Sequence, residues 1–257
     1  MLLFELANLG AGFKRYFRVV PALTDELRDH VYRIRHEVYC EELKYEPVRP
    51  GKRETDDYDA HSLHCLIQSV KDESYVGCTR LVLARPGDPQ FPLPVEKTCA
   101  KTIDRSILDP QRLPRNTLAE ISRLAVVARY RNRAGEDKTA APLNDESFGT
   151  SDRPRFPYLT AGLYLATIEL ARRHGIISVL VLTEPRLAHH FKRLGVDIQQ
   201  IGGPVEHRGT RVPSVIDVAG VIAGLNFMVR PLYKEVAEET AVELERQRGA
   251  ASIESRV

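Results

Sequence analysis

A chain of 257 residues that is 43% hydrophobic and 28% charged has an ordinary globular composition and can bury one full-sized core. Its net charge of +2 is too small to make nucleic acid the main partner, and no run of about 18 apolar residues is present to span a membrane. The four cysteines, Cys40, Cys65, Cys78 and Cys99, lie far apart without a Cys-x-x-Cys pair, which excludes the common zinc and redox motifs and reads as reduced thiols in the cytoplasm.

The amino-terminal stretch starts apolar but carries Glu5 and lacks a basic n-region, so it is a poor signal peptide. Lys14, Arg15 and Arg18 interleave with Phe13, Tyr16 and Phe17, a composition suited to peripheral contact with an anionic membrane. The plainer reading is an arm or edge strand over residues 16–20. Residues 21–43 read as the first helix, with Thr24 as cap and Asp25 and Glu26 in the first turn. Leu27, Val31, Ile34 and Val38 form its apolar stripe, and Arg35 and Tyr39 neighbour each other beside it. An arginine so close to the core needs a carboxylate. Residues 45–59 break the pattern with Pro47, Pro50-Gly51 and a charged run; by default this is a mobile, solvated connector, although Asp56 and Asp59 are candidate partners.

Residues 62–70 and 75–84 read as an antiparallel hairpin, with Val76, Cys78, Arg80 and Val82 on one face. Arg80, among small apolar neighbours, again calls for an acidic partner. Residues 90–118 look like a proline-broken connector with a short helix around 95–101. The strand over residues 119–127 carries Glu120 and Arg123, opposite charges whose burial is costly unless each is paired or solvated. The plain reading is a rim ion pair. Arg129, Arg131 and Arg133 follow in a basic turn, a weak signal for phosphate. Residues 137–157 read as a surface insertion and residues 159–174 as the clearest helix, stopped by Gly175. Residues 176–183 fit a buried central strand. Residues 186–194 suggest a short helix whose His189-His190 pair is assigned no metal, and residues 198–218 suggest strands around Gly202-Gly203-Pro204. A charged amphipathic helix covers residues 232–247, and the last ten residues look frayed. No internal repeat is visible.

Set side by side, Arg35-x3-Tyr39-x5-Tyr45, Glu54-x-Asp56-x2-Asp59, Thr79-Arg80-Leu81 and Glu120-Ile121-Ser122-Arg123 resemble, in order and spacing, the acyl-homoserine-lactone (autoinducer) synthases. The pattern is closer still to the N-acyl amino acid synthases of the type associated with PEP-CTERM/exosortase systems, a branch of the GNAT superfamily. The resemblance covers roughly residues 20–225. It implies an α/β, GNAT-like N-acyltransferase fold with a central mixed, largely antiparallel twisted sheet flanked by helices. The chain would be one domain (1–257) with an insertion at 136–157 and a carboxy-terminal helix and tail at 226–257. Arg35, Asp56, Asp59 and Arg80 would form an electrostatic cluster on the acceptor side with Tyr39 and Tyr45, and Glu120 and Arg123 would sit beside the reacting centre. Val126, Val127, Arg129, Arg131 and Arg133 would meet the donor, whose pantetheine arm lies between two splayed strands in that fold.

Two departures shape the expected activity. Tyr39 and Tyr45 stand where the lactone synthases place Phe and Trp, which moves weight from S-adenosylmethionine to a plain amino acid as acceptor. Arg131-Asn132-Arg133-Ala134 has alanine where the superfamily's pyrophosphate loop has glycine, which favours acyl carrier protein over coenzyme A as donor. The expected reaction transfers a fatty acyl group from acyl carrier protein to an amino group, with no tightly bound cofactor and no metal. Alternatives are a lactone synthase using S-adenosylmethionine, an acyl-CoA-dependent GNAT acetyltransferase, and a non-enzymatic sensor of acyl chains or amino acids. Acyl length, amine and oligomeric state stay open. An arriving ammonium must lose a proton, and Glu120 is the candidate base. Residues three apart on a regular strand face opposite sides, so bringing Glu120 and Arg123 to one site predicts a β-bulge, unless Glu120 sits just before the strand.

Overall fold

The computed structural model describes residues 9–131, 149–150, 153–154, 158–185, 191 and 195–254. The chain enters as helix α1 (Leu9–Tyr16) and turns directly into strand β1 (Phe17–Pro21). The first long helix therefore begins later than residue 21, because Pro21 closes an edge strand where its missing N–H costs little. Thr24 caps α2 (Asp25–Arg35), its Oγ1 accepting from the Leu27 amide at 3.2 Å. After Arg35 the helix widens into a π-helical turn, His36–Glu42, a form that is frequent at functional sites. Val31, Ile34 and Val38 are buried as the stripe predicts, with Leu27 partly buried at its end.

Strands β2 (Ser62–Ser69) and β3 (Tyr75–Leu83) form the expected hairpin. The proline-rich connector carries the short helix α3 (Pro94–Thr98) and leads to β4 (Leu118–Val126). Of the predicted insertion, a ribbon of β5 (Gly149–Thr150) and β6 (Arg153–Pro154) is described, and the rest lies outside the described residues. Helix α4 (Tyr158–Arg173) stops at Gly175, whose φ of 69° suits glycine, with Ile176 N closing on Ala171 O at 2.9 Å. Strand β7 (Ser178–Thr183) follows. The helix expected over residues 186–194 falls almost wholly outside the described residues. Short strands β8 (Gln199–Gln200) and β9 (Val205–Glu206) precede β10 (Thr210–Asp217), α5 (Val218–Gly224) and α6 (Arg230–Glu254).

The eight-stranded sheet has the order β1-β2-β3-β4-β7-β10-β8, with β9 alongside β10. Every pairing is antiparallel apart from β4 with β7. This is the mixed, largely antiparallel, helix-flanked sheet that the sequence implies. Neighbouring residues of β3 show how the layers lie: Cys78 Sγ approaches Val31 O of α2 at 3.9 Å, whereas Thr79 Oγ1 lies 3.3 Å from Thr167 Oγ1 of α4. Because side chains alternate along a strand, α2 and α4 cover opposite faces.

Helix α6 is longer than the 16-residue span expected. Leu232, Val236, Thr240 and Leu244 recur every four residues and are buried along α1, β1 and α4. Part of its polar surface is also engaged: Glu239 accepts from Val19 N at 2.9 Å, and Gln247 donates to Pro21 O at 2.8 Å. Among the described residues no helix is long and apolar enough to cross a membrane.

The parallel pair is short. It runs from Leu118–Ser178 to Ile121–Val181, after which β4 continues to Val126 with β7 no longer beside it. That parting of two adjacent strands opens the sheet at its middle.

Candidate active site

The opening is walled on one side by a strand that is locally irregular. Ser122 lies opposite Arg80 and Ala125 opposite Cys78, so Arg123 and Leu124 together face the single residue Thr79. This is a β-bulge in β4, and Arg123 takes the left-handed conformation within it, with φ of 51°. In a regular strand Arg123 would face away from Glu120, on the α4 side. With the bulge its guanidinium reaches the α2 side, where Nη2 meets Glu54 at 3.3 Å and Asp56 at 3.2 Å. The predicted bulge exists, and it sits at Arg123 and Leu124.

Two further arginines complete a six-membered charge cluster. Arg35, fully buried, donates Nε to Glu54 Oε2 at 2.5 Å and Nη1 to Asp59 Oδ1 at 2.6 Å. Arg80 donates Nη1 to the same Asp59 oxygen at 2.8 Å and to Asp56 Oδ1 at 2.6 Å, and its Nε to Ser122 Oγ at 3.1 Å. Asp59 thus bridges the arginine of the helix and the arginine of the strand. Three guanidiniums face three carboxylates, so burial leaves no net charge stranded.

Titration follows from this arrangement. Burial opposes ionisation of Glu54, Asp56 and Asp59, but the adjacent arginines outweigh it and hold all three below the usual carboxylate range. Burial likewise works against the Arg35 cation, and Glu54 and Asp59 more than offset it.

The segment at residues 45–59 is therefore not the solvated connector its composition suggests. Glu54 is 1% exposed, its amide donates to Tyr32 O at 3.0 Å, and Arg49 N donates to His36 Nε2 at 3.1 Å. Its acidic residues are held by arginines that the sequence places 19 or more residues away. Glu54 stood in the quoted motif without a role of its own; its position in the same acidic run was the available signal.

Glu120 has a different environment. It is 3% exposed and accepts one hydrogen bond, from Val95 N at the start of α3, at 2.7 Å. No ion pair joins it to Arg123, so the rim pair of the plain reading is absent. Burial pushes its pKa up to about 8, with the Val95 amide and the more distant Arg80 and Arg123 offsetting only part of that.

These groups converge on a cavity of about 410 Å³, within the size range of small-molecule sites. Glu120, Ser122 and Arg123 form its β4 wall, and residues 181–184 at the end of β7 form the facing wall. Asp56, Arg80, Tyr39 and Tyr45 line it as well, whereas the Arg35 and Asp59 side chains, 0% and 7% exposed, support it from behind. Tyr39 donates its hydroxyl to Leu124 O at 2.9 Å, and its ring stacks with Tyr45 at 6.5 Å. His207, Arg208 and Arg211 from the β9–β10 hairpin also line it and carried no site signal in the sequence beyond the Arg208-Gly209 turn. Tyr164 lines both this cavity and a narrow one of about 20 Å³, whose other walls are apolar side chains such as Leu165, Ile168 and Phe191.

The donor-side expectations fare unevenly. Arg131 is buried and paired with Glu42 of the π-helical turn, which also accepts from Ala128 N at 2.9 Å. It is turned inward and offers no docking charge. Arg129 is exposed and bonds to Ser74 Oγ at 3.2 Å, and Arg133 lies outside the described residues. Val126 and Val127 are buried and do not line the cavity, whose β4 wall ends at Leu124; Val127 N is committed to Val76 O at 3.0 Å.

Residues 34–140, the stretch running from Arg35 past Arg131, match the family model described as acetyltransferase (GNAT) domain. The fold is GNAT-like, and the chain is an acyltransferase. Solved structures share the acyltransferase's fold at low identity. BjaI, described as a CoA-dependent acyl-homoserine lactone synthase with MTA, has 19% identity and a TM-score of 0.56 over 86% of this chain and 89% of its own. TofI, in a ternary complex with an inhibitor and MTA, has 22% identity and a TM-score of 0.53 over 81% and 95%. FeeM, an N-acyl amino acid synthase from uncultured soil microbes, has 14% identity and a TM-score of 0.52 over 81% and 94%. No curated protein sequence is similar enough to match the acyltransferase.

Proposed function

We propose that this acyltransferase moves a fatty acyl group from an acyl carrier protein thioester to the amino group of an amino acid or similar small amine. The observation that carries the reading is Glu120: a buried carboxyl ionising near pH 8, on the wall of the cavity where β4 and β7 part. An unperturbed α-ammonium ionises at about 7.7–8.0. The two groups are therefore matched, and moving a proton from the acceptor to Glu120 is nearly neutral in free energy.

The thioester arm lies in the opening, against the strand edges that the parting of β4 and β7 leaves without each other. Glu120 takes a proton from the ammonium, and the freed amine attacks the thioester carbonyl. The tetrahedral intermediate releases its second N–H proton to solvent, collapses to the amide and expels the thiolate, which recovers the first proton from Glu120. No covalent enzyme intermediate is needed.

The donor assignment is supported by chemistry at the end of β4. Coenzyme A brings a pyrophosphate that needs cations and backbone amides, and Arg131 is already spent on Glu42. A carrier protein presents a single phosphate and an acidic surface. The relatives named above include a CoA-dependent lactone synthase and an N-acyl amino acid synthase, so donor and acceptor both need direct measurement. The same reading takes residues 1–257 as one cytoplasmic domain, with α6 packed on α1 and β1.

The test is transfer with purified enzyme, acyl carrier protein and acyl-CoA donors of equal chain length, and amino acids as acceptors, with products identified by mass spectrometry. N-acyl amino acid from acyl carrier protein is expected. Product from acyl-CoA alone overturns the donor, and acyl-homoserine lactone made from S-adenosylmethionine overturns the acceptor.

A further inference from the structure

The β9–β10 hairpin carries a guanidinium into the cavity. Thr210 pairs with Glu206 and Arg211 with Val205, leaving His207-Arg208-Gly209 as the tip. Arg208 is left-handed there, with φ of 54°, a conformation that a non-glycine residue holds only when its surroundings fix it. What fixes it is visible. The Arg208 guanidinium lies 5.8 Å from the ring centres of both Tyr39 and Tyr45, and its Nη2 is paired with Glu46 Oε1.

Arg123 reaches the same place from the β4 wall. Its guanidinium is 5.7 Å from the Tyr39 ring, and its Nη2 lies 3.8 Å from the same Glu46 oxygen. One carboxylate oxygen therefore sits between two guanidiniums that share one aromatic ring. This carboxylate is additional to the balanced cluster, in which Arg35, Arg80 and Arg123 already face Glu54, Asp56 and Asp59.

It is also held differently. Arg35 and Glu54 have side chains 0% and 1% exposed, whereas Arg208 and Glu46 keep 22% and 21%. An ion pair in reach of water is weak and exchanges its partner readily. Arg123, meanwhile, makes its hydrogen bonds through Nη2, and its Nε is buried without a partner.

We propose that Arg208 and Arg123 bind the carboxylate of the acceptor, and that Glu46 is a stand-in that this carboxylate displaces. The inference rests on the reading of the acceptor as an amino acid and names the residues that select it. An amino acid brings the charge that Glu46 supplies in its absence, so exchange keeps both guanidiniums paired. A simple amine brings no such charge, leaves Glu46 in place and gains nothing from either arginine. The tyrosine rings below hold the guanidiniums at that spot through either occupant. Selection for the carboxylate thus draws on a hairpin-tip residue, Arg208, that the resemblance to the lactone synthases leaves unassigned.

The experiment compares an amino acid with its primary carboxamide, which keeps the amine and removes the charge. Acceptor kinetics are measured at saturating donor for the wild type, Arg208→Ala, Arg208→Lys and Glu46→Gln, and calorimetry measures binding of both compounds without donor. Hydrogen bonds to a charged group predict a loss of roughly 10- to 100-fold in acceptor KM for Arg208→Ala, with the loss on KM rather than kcat. The preference for the free acid should shrink by the same factor, Arg208→Lys should recover part of it, and Glu46→Gln should lower KM for the free acid. A wild type that prefers the free acid, with that preference intact in Arg208→Ala, overturns this inference and leaves the amino-acid reading standing. So does a rise in donor KM alone, which would assign Arg208 to the donor's phosphate. A wild type that treats acid and carboxamide alike, in transfer and in calorimetry, overturns the amino-acid reading itself. Circular dichroism of the two Arg208 variants separates loss of binding from loss of fold.

Discussion

Glu120→Gln separates the catalytic from the structural meaning of the buried carboxyl, because it keeps size and hydrogen-bonding capacity and removes only the ionisation. The acceptor side of the hydrogen bond from Val95 N survives in the amide. The stability effect can be worked out from titration. Glu120 goes from an ordinary 4.5 to about 8 on folding, and at roughly 1.4 kcal/mol per pH unit this comes to about 5 kcal/mol. Its sign is fixed. Below pH 4.5 the carboxyl is protonated in both states and the wild type has its full stability. Between pH 4.5 and about 8 the unfolded chain releases a proton that the folded chain keeps, so stability falls.

The Gln variant has no such fall. Urea unfolding of both proteins at pH 5, 7 and 9 should show the variant gaining on the wild type by several kcal/mol from the first pH to the last. All other titrating groups are common to both proteins and cancel in the difference. The same substitution should cost about 10²–10⁴-fold in single-turnover transfer if Glu120 is the base. Parallel stability curves would refute the raised ionisation. Near-native turnover by the Gln variant across pH 6 to 9 would refute the base.

The charge cluster predicts the opposite pH dependence. Glu54, Asp56 and Asp59 are held ionised by arginines, so they contribute stability above their ordinary range, and this is lost as pH falls through their lowered values; acid unfolding should begin near the normal carboxylate range and deepen below it. Asp59→Ala removes the carboxylate that Arg35 and Arg80 share, leaving three guanidiniums to two carboxylates, and should cost about 3–5 kcal/mol in chemical denaturation along with activity; an unchanged melting temperature would mean that the bridge is dispensable. Arg129→Glu should raise the Michaelis constant for acyl carrier protein and weaken its salt dependence, whereas Arg131→Glu should lower the melting temperature first, since it breaks a buried pair with Glu42. Thr24→Ala should cost about 1 kcal/mol of stability and leave kinetics alone, as expected for a helix cap remote from the cavity.

The periodic elements were legible in the chain because their causes are local. The Thr24 cap, the Val31–Ile34–Val38 stripe, the β2–β3 hairpin and the Gly175 stop each depend on residues within a few positions of one another. The demand for carboxylates around Arg35 and Arg80 was legible too, since a cation on a buried face must be paired wherever the chain goes. Even the bulge followed from counting residues between Glu120 and Arg123.

What the tertiary structure alone decided was which long-range partner each charged group meets. Composition makes residues 45–59 a solvated connector; contact with α2, β3 and β4 makes them the acidic half of the site. Arg131 reads as a docking charge until Glu42, 89 positions away, turns it inward. Arg208 carries no site signal in the sequence, and only the β9–β10 hairpin lays it over Tyr39 and Tyr45. Glu120 and Arg123 read as an ion pair, yet the sheet gives one to a backbone amide and the other to the acidic loop. Sequence carries each residue's charge, size and local periodicity. Coulomb energy and desolvation depend on distances through space, and those are set only when the sheet order brings β4, β7 and β10 side by side.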